Sequence, residues 1–536
     1  MAFLLAQGGA SLYKVDLITG VATALSLPTG VTLSTSRKPR FAVLKNQIVM
    51  VNSPSRNLAI DAEGNVRVLV PVPPTHGPDV SAGSGTGLTG AFKWKCNFFG
   101  EDADGNLLYE SPLSDYYREV TLTNQDSSLG DIPISPDTVT GRRIYRTLTG
   151  GTGYRRLLSI YDNTTRTVLN ATADSVLELL PTSAEELLSP PGTVPGVRMK
   201  IICEWKSKLW GVGTDDPDTV WVTETNKPYA WTKKIVIHPT GQDAHGIIGF
   251  APRRDHLGVI RRNGVWQIAA GASGTGIDIT RISVLQLSPR GGSLSPDTIV
   301  SHNDMVWWLG NDGVYEWSDT GVNNITDATV APWFQSDTYF VRSRFPNAFA
   351  KLNELRQTYD LHVAAVGGVV EDRWVSFNLT NRKWYGPHKT GLFTPNHATH
   401  LVDENGLPIC VVGASDGTIY TANSSLARDG AATAIDMDMF GPFHHGGDPD
   451  GFHYFGELSV LSKVQASGNL TVTPYVGGLD AAAGTDITHD MTTGRQLLRR
   501  LGHGRLARLR FRQNTVNVAA VIHGYEIEPV ERVARR

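Results

Sequence analysis

The sequence predicts an all-β protein: a β-propeller of about six or seven blades with an inserted immunoglobulin- or fibronectin-like β-sandwich and a C-terminal β-sandwich. Three observations lead to this fold class. The composition favours strands and turns over long helices, since 55 Gly and 29 Pro accompany 12 Trp and 16 Tyr among 536 residues. Aromatic hairpins recur along the chain. Two stretches have a different residue pattern: one interrupts the series of hairpins and the other follows it.

The recurrent hairpin is clearest in "VWWLGNDGVYEWSDTG", residues 306–321. Two apolar, aromatic runs flank Gly310-Asn311-Asp312-Gly313, and Asn-Asp-Gly supplies the positive φ angles that a tight hairpin needs. Hairpin turns of this kind recur along the chain at separations of about 35–70 residues, often close to 50, which is typical of repeated four-stranded blades. One large, irregular β-sandwich assembly is the alternative organisation. Comparable turns lie near residues 20, 64, 216, 264, 381 and 417.

The interval between Gly64 and Asp216 is too long for one blade and predicts an inserted module of about 100 residues. Several strand-like runs between the linker "PTHGPDVSAGSGTGLTG" and the closing "PTSAEELLSPPGTVPG" favour a β-sandwich. Alternating runs after about residue 430 indicate a second sandwich. The predicted domains are the first part of the propeller at 1–80, the insert at 81–195, the remaining blades at 196–430 and the C-terminal sandwich at 431–536.

Charge and cysteine content exclude several classes of protein. The net charge of −3 provides no global field toward nucleic acid or anionic lipid. The three cysteines are far apart in sequence, which argues against a disulfide framework and predicts synthesis in a reducing compartment. No apolar run approaches the roughly 18 residues of a membrane span, and the N-terminus does not resemble a secretion signal.

The inserted stretch "GRRIYRTLTGGTGYRRLLSIYDNTT" contains a glycine-rich segment and several arginines. Because "GGTG" lacks the Gly-Lys-Ser/Thr ending of a phosphate-binding loop, we expect a hairpin turn there. The arginines are expected on a solvated strand face, with anion binding as the alternative. They are Arg142, Arg143, Arg155 and Arg156.

A second candidate lies in "FGPFHHGGDPDGFHYFG", which carries the ligand types of a metal site. No fixed spacing holds these ligands together, so we expect a turn-rich domain junction and predict no metal or cofactor. The residues concerned are His444, His445, Asp448, Asp450 and His453.

The sequence singles out one contact surface, in "GRQLLRRLGHGRLARLRFR". Arg508, Arg510 and Arg512 alternate with Leu509 and Phe511, so the three guanidinium groups are expected to share one strand face. Such a face suits phosphate contact or an acidic surface of another subunit. An ordinary exposed sheet face is the remaining alternative.

Motifs of catalysis are few. The spacing Gly-x-Ser-x-Gly occurs at Gly413-Ala414-Ser415-Asp416-Gly417, where we predict a hairpin turn at Asp416-Gly417, and the sequence has no His-Glu-x-x-His motif. A propeller glycosidase needs two carboxylates facing each other across a sugar, and nothing in the sequence separates Glu316 and Glu371 from surface acids. We therefore expect no enzymatic activity and assign no catalytic residue.

The insert "GRRIYRT…GGTGYRRLLSIYDNTT" resembles the immunoglobulin-like insert in tail proteins of short-tailed bacteriophages. The chain end, "LRFRQ…VIHGYEIEPVERVARR", is similar to the closing strand and basic tail of the same proteins, and the aromatic hairpins fit their propeller. Over most of its length the chain thus resembles the tail nozzle, or packaged-DNA stabilisation, proteins of podoviruses.

The resemblance implies a structural virion protein without cofactor. Such proteins form a homo-hexameric ring below the portal and the head-to-tail adaptor ring, extend the channel, retain packaged double-stranded DNA and let it pass during ejection. The resemblance further implies assembly in the bacterial host cytoplasm, location in the virion tail and contacts with tail fibres or spikes. Two alternatives are a receptor-binding or tail-tip protein of a phage and a carbohydrate-active propeller enzyme. A plain interaction propeller would explain neither sandwich.

Overall fold

The structure is a computed structural model, and it describes most residues of the chain. These are residues 3–17, 19–177, 187–194, 196–237, 246–273, 276–326, 330–389, 393–402, 408–422, 428–429, 433–434, 437–441, 443–445, 452–478, 481–513 and 522–532. Within them the chain is nearly all β, and the neighbouring strands whose residue register is defined pair antiparallel. The all-β class predicted from the sequence is confirmed.

The chain opens with two meanders, sheets in which each strand pairs with the next along the chain. The three-stranded first meander consists of β1 (Phe3–Gly8), β2 (Ser11–Asp16) and β3 (Ala22–Leu25). The second consists of β4 (Arg40–Leu44), β5 (Gln47–Val51), β6 (Leu58–Ile60) and β7 (Val66–Val68).

The inserted segment follows β7 and forms two sheets. Its strands are β8 (Asp79–Ala82), β9 (Leu88–Glu101), β10 (Leu107–Glu110), β11 (Arg118–Gln125), β12 (Ser127–Gly130), β13 (Gly141–Thr147), β14 (Tyr154–Ile160) and β15 (Val168–Asn170), followed by the short helix α1 (Asp174–Leu177). One sheet has the order β10-β9-β13-β14 with β11 also paired to β9, and the other has the order β15-β12-β8. A shared core that includes Trp94, Leu129 and Ile144 lies between them, as in a β-sandwich.

Four further meanders of four strands follow the insert. The first two consist of β16 (Met199–Trp205), β17 (Lys208–Gly213), β18 (Thr219–Thr223) and β19 (Trp231–Val236), then β20 (Ile247–Pro252), β21 (His256–Arg261), β22 (Val265–Ser273) and β23 (Gly276–Ser288). The next two consist of β24 (Val300–His302), β25 (Met305–Leu309), β26 (Val314–Ser318) and β27 (Gly321–Asn324), then, after the short helix α2 (Ala331–Gln335), β28 (Phe349–Asn353), β29 (Thr358–Val363), β30 (Arg373–Asn378) and β31 (Trp384–Lys389). Two 3₁₀ turns, Pro296–Thr298 and Arg342–Asn347, lie between these strands.

The remaining strands form four small sheets. They are β32 (Pro395–Val402), β33 (Pro408–Ala414) and β34 (Ile419–Ala422); β35 (Arg428–Asp429) and β36 (Thr433–Ala434); and β37 (Met437–Phe440), β38 (His453–Ser462), β39 (Asn469–Gly477), β40 (Ile487–Asp490), β41 (Arg495–Gly504), β42 (Leu506–Gln513) and β43 (Ile522–Arg532). The last seven form two sheets, β37-β42-β39-β40 and β41-β38-β43. A common core that includes Leu458, Val472 and Phe511 joins these two sheets, as in a sandwich.

The chain divides into two compact units. The first comprises Met1–Val369, Val375–Tyr385 and Val402–Leu407, and the second comprises Val370–Trp374, Gly386–Leu401 and Pro408–Arg536. The residue bounds predicted for the four domains stay predictions.

Consecutive meanders of the first unit pack as propeller blades do. Their first strands are neighbours, β4 beside β16, β16 beside β20, β20 beside β24 and β24 beside β28. A separate hydrophobic cluster lies between each pair of successive sheets; Trp231 belongs to one, Trp210 to the next, and Trp308 and Trp307 to the following two. Because both faces of such sheets are covered, runs such as Thr219–Thr223 are buried throughout and do not alternate.

The inserted arginines correct one expectation. The side chains of Arg142 and Arg143 are buried, as is that of Arg146, because β13 is a central strand whose seven residues are all buried. Arg142 pairs with Asp162 at 2.8 Å. The prediction of a solvated strand face is therefore wrong for Arg142 and Arg143, and buried cations of this kind need acid partners. The "GGTG" stretch forms the turn between β13 and β14, which confirms the predicted hairpin.

No disulfide joins Cys96, Cys203 and Cys410. Burial raises the pKa of the Cys96 thiol, and it raises that of Cys203 as well. Both thiols therefore lack the thiolate character that reactive cysteines need. Among the residues described, no helix has the length and apolarity needed to cross a bilayer.

A buried histidine makes the C-terminal sandwich sensitive to acid. His489 on β40 is fully buried and shares a 2.9 Å hydrogen bond with the Ser462 hydroxyl. Burial lowers its pKa, against the opposing effects of Gln496 and Asp490. The folded state therefore keeps this imidazole neutral, while the unfolded chain takes up a proton below about pH 6.5. Stability is lost as the pH falls through that value toward the lower folded pKa.

We expect the His489→Gln variant, which cannot titrate there, to lose less stability than wild type between about pH 7.5 and pH 5.5, by up to about 1.4 kcal/mol per pH unit. Hydrogen exchange of peptides covering β39 and β40, measured for both proteins at each pH, gives the difference directly. A difference that stays constant across this range would contradict the assignment.

Candidate functional site

The predicted arginine strand is β42, in the second unit. It lies between β37 and β39, and its residues alternate between half-buried and buried. Leu509 and Phe511 belong to the core, so Arg508, Arg510 and Arg512 share the opposite face of the sheet. The structure thus brings together the three residues that the sequence predicted to share a face.

The three arginines have different surroundings. The Arg508 guanidinium lies over two phenylalanine rings, 4.4 Å from the Phe440 centroid and 4.9 Å from that of Phe443. Its Nε also donates to the Gly441 carbonyl at 3.1 Å. The Arg510 guanidinium lies 5.3 Å from the Phe440 centroid. Stacking on aromatic faces is a recognised use of Arg.

Arg512 is engaged inside its own sheet. Its Nη2 lies 2.6 Å from Asp486 Oδ2, and Asp486 also accepts a hydrogen bond from Thr473. The Thr473 hydroxyl, and then the Arg512 charge, hold the pKa of Asp486 below its usual value against the effect of desolvation. Of the predicted three, Arg512 therefore carries a partner already and is the least suited to contact another molecule.

The backbone fixes the phenylalanines beside Arg508. Gly441 N–H donates to the Leu509 carbonyl at 2.8 Å, and His444 and Ala507 exchange two backbone hydrogen bonds of 2.7 and 2.9 Å. The His444 ring reaches the Tyr525 hydroxyl at 2.6 Å. The segment after β37 is thereby held along β42.

We call this surface the arginine face; it consists of Phe440, Phe443, Tyr475, Arg508 and Arg510. The Phe440 and Phe443 side chains are 43% and 39% exposed, although large apolar rings are usually covered. Arg, Phe and Tyr are also the residue types enriched in protein interfaces. Chemically, the arginine face can bind an acidic or aromatic surface of another protein.

The predicted domain junction around the histidines is only partly described. His444 is bonded to Tyr525, and His453 is buried in β38. Asp448 and Asp450 lie outside the described residues. Within the described part of the chain, no three His, Cys, Asp or Glu side chains are grouped as metal ligands.

Glu316 is a structural partner rather than an open acid. It is 5% exposed, and its Oε2 accepts a hydrogen bond from Trp307 Nε1 at 2.8 Å. Arg382 makes a bidentate pair with both carboxylate oxygens, with Nη2 3.1 Å from Oε1. Glu371 is also buried and engaged.

Sequence reasoning missed a second group of cations, which lies in the first unit. We call Arg37, Arg198 and Lys200 the basic cluster. Arg37 precedes β4, and Arg198 and Lys200 lie just before and at the start of the neighbouring strand β16. The three residues are far apart in the sequence, so a count of local charge could not reveal them. The packing of β4 beside β16 brings these segments together.

A groove of about 550 Å³ lies at the C-terminal ends of the first strands β16, β20 and β24. Its floor includes Trp205, whose Nε1 donates to the Arg253 carbonyl at 2.6 Å. Arg253 in turn contacts Asp304 and Asp319 at 3.1 and 2.6 Å. Arg253, Asp304 and Asp319 are paired with one another, so these charges connect adjacent sheets at the groove.

Comparisons with known proteins give no family. No protein-family model matches the chain, and no curated protein matches it significantly. Many solved structures show a distant likeness, among them the following three. They are PorZ, a bacterial surface component of the type-IX secretion system of Porphyromonas gingivalis (11% identity, TM-score 0.26, 97% of this chain and 80% of that chain), the β-propeller domain of Cps50 (Swd1) from Myceliophteria thermophila (8%, 0.28, 78% and 94%) and Sqt1 of Saccharomyces cerevisiae (9%, 0.30, 79% and 93%). Likenesses at this level support no conclusion about function.

Proposed function

We propose that this protein is a structural component of the tail nozzle of a short-tailed bacteriophage. In this role six copies form a ring that extends the portal channel, retains the packaged DNA and lets it pass during ejection. The observation that carries the proposal is the order of modules along the chain. Propeller-type meanders are interrupted after β7 by a two-sheet insert, and the chain ends in a sandwich that contains an arginine strand. The podovirus resemblance implies the same order.

Two properties of the structure support a structural role. The arginine face exposes aromatic and cationic side chains together, which suits a contact with a neighbouring subunit or with the adaptor ring. In a closed ring, each copy contacts its two neighbours through two different surfaces. If the arginine face is one of them, a different, complementary surface of the adjacent copy binds it. Glu316, a candidate acid of the enzyme alternative, is occupied by Trp307 and Arg382.

The direct test is the copy number and position of the protein in purified particles, by quantitative mass spectrometry and immunogold labelling. About six copies at the distal end of the tail are expected, as closure of a ring requires. Absence from the particle would overturn the proposal and would direct attention to assays of glycan turnover.

The arginine face gives a sharper prediction. We expect Arg508→Glu to reduce tail assembly by about tenfold or more, because it places a negative charge between two exposed phenylalanine rings at a proposed contact. Particle yield and infectivity measure the effect. Arg505→Glu is the matched control, since Arg505 is an exposed arginine immediately before β42 and outside the arginine face. Equal assembly by the two folded variants would contradict the assigned contact.

A further inference from the structure

Asn52 joins the two segments that carry the basic cluster. It has a positive φ of 72°, in the left-handed region that Asn tolerates better than most residues. Its backbone N–H donates to the Met199 carbonyl at 3.0 Å, and its Nδ2 donates to the Lys38 carbonyl at 2.7 Å. One residue thus fixes the segment before β4 against the start of β16.

The same asparagine orients both guanidinium groups. Arg37 Nε donates to the Asn52 carbonyl at 3.1 Å, and Arg198 Nε donates to Asn52 Oδ1 at 3.4 Å. The Nε of each arginine is therefore engaged in a hydrogen bond to Asn52. The two guanidinium groups converge on one residue, and their terminal nitrogens make no hydrogen bond to the residues that the structure describes.

Neighbouring cations are paired, whereas those of the basic cluster are not. Lys38 and Arg40 pair with Asp297, and Arg261 pairs with Asp218 at 2.6 Å. Among the described residues, no carboxylate lies within 4.0 Å of a side-chain nitrogen of Arg37, Arg198 or Lys200. Asp215 acts on Arg198 from beyond ion-pair distance.

The like charges are close enough to act on each other. Burial lowers the pKa of Arg198, and the Arg37 charge lowers it further. Burial likewise lowers the pKa of Lys200, where Arg261 and Arg198 add to the effect and Asp218 opposes it. Like charges held together in a partly buried place destabilise the protein until an anion compensates them.

We propose that Arg37, Arg198 and Lys200 form a binding site for a phosphate group. Two guanidinium groups present planar pairs of N–H donors that match tetrahedral oxyanions, and an ammonium group adds a third charge-assisted donor. The ligand is a phosphoryl group, supplied either by inorganic phosphate or by the phosphodiester backbone of a nucleic acid. This proposal does not depend on the nozzle function.

The test measures melting temperature and binding heat for the full chain at low ionic strength. Inorganic phosphate is one probe and a short DNA duplex of mixed sequence is the other, with sodium chloride at matched ionic strength as the reference. We expect either phosphate probe to raise the melting temperature of wild type, since a ligand bound only by the folded state stabilises it. A response to both probes indicates recognition of the group itself. A response to the duplex alone identifies the backbone as its source.

The variant Arg198→Gln separates binding from structure. We expect its affinity for the responding probe to fall by about tenfold or more. Without phosphate, its melting temperature should equal or exceed that of wild type, because one repelling charge is gone. Arg254→Gln is the matched control, since Arg254 is an exposed arginine of the same unit outside the basic cluster, and it should respond to phosphate as wild type does.

Two outcomes would overturn the proposal. The first is a wild type that responds to neither phosphate probe beyond the chloride reference; a response of the same protein to polyglutamate would then assign the basic cluster to acidic protein. The second is an Arg198→Gln protein that binds as tightly as the Arg254→Gln control.

Discussion

Replacing Glu110 by Ala is expected to lower the free energy of unfolding of the inserted module by about 3–5 kcal/mol, since the change leaves a buried cation with too little compensation. Glu110 is 6% exposed, and its Oε1 accepts hydrogen bonds from Asn97 at 2.7 Å, Arg143 at 3.1 Å and Tyr145 at 3.0 Å. Without it, the Tyr145 hydroxyl loses its acceptor. Among the described carboxylates, Arg143 then keeps Glu101, at 3.1 Å, as its ion-pair partner.

The pKa shifts of Arg143 and Tyr145 agree with a stabilising role of Glu110. Burial alone would lower the pKa of Arg143, but Glu110 and then Tyr145 and Glu101 reverse the effect and raise it. Burial raises the pKa of Tyr145, and Glu110 raises it further. The carboxylate thus keeps both neighbours in the protonated forms that donate hydrogen bonds to it.

Hydrogen exchange of peptides covering β9 and β13, followed as a function of urea, measures this loss within the full chain. Glu119→Ala is the matched control, because Glu119 lies exposed on β11 of the same module. Its effect is expected to stay within about 0.5 kcal/mol. Similar values for the two variants would show that the network around Glu110 contributes little to stability.

Glu316→Ala is expected to cost about 2–3 kcal/mol, mainly because the Trp307 indole N–H is left buried without an acceptor. The loss is smaller than at Glu110 because the Arg382 side chain is 46% exposed, so water can solvate its charge when the carboxylate is gone. Glu316→Gln retains an acceptor for Trp307 and should lie between wild type and the Ala variant.

The measurement is urea unfolding of the full chain followed by tryptophan fluorescence, with Glu63→Ala as the exposed control in the first unit. A Glu316→Ala protein as stable as this control would reject the structural role. Loss of a glycan-cleaving activity in a fully stable variant would instead favour the carbohydrate-active alternative.

The sequence indicated the repeated meander, but it did so through only part of the turns. The turns near 216, 264 and 313 join the second and third strands of their sheets, while those near 64 and 381 join the third and fourth. The first turns of the four-stranded meanders contain no glycine. Residues at positive φ form them instead, as in Asn303-Asp304 at 47° and 61° and Lys206-Ser207 at 50° and 59°. A search for glycine turns cannot find them.

The candidate sites show where sequence periodicity succeeds and fails. Alternation placed Arg508, Arg510 and Arg512 on one face correctly, because β42 has one face toward a core and one toward solvent. The general expectation that arginines are exposed failed for Arg142 and Arg143, because β13 is covered on both faces and its acid partners come from other strands and loops. The basic cluster depends on packing between distant segments, which no local pattern reveals.

The hydrophobic clusters between successive meanders have a consequence for how unfolding spreads. Each inner meander of the first unit buries its two faces against its sequence neighbours, so its stability is a sum of its own pairing and two interface contributions, as in repeat proteins. A defect in one sheet is then transmitted to the adjacent sheets and weakens with each further step. The unit therefore behaves as a chain of coupled cooperative elements, in which deleting one meander exposes two apolar faces at once.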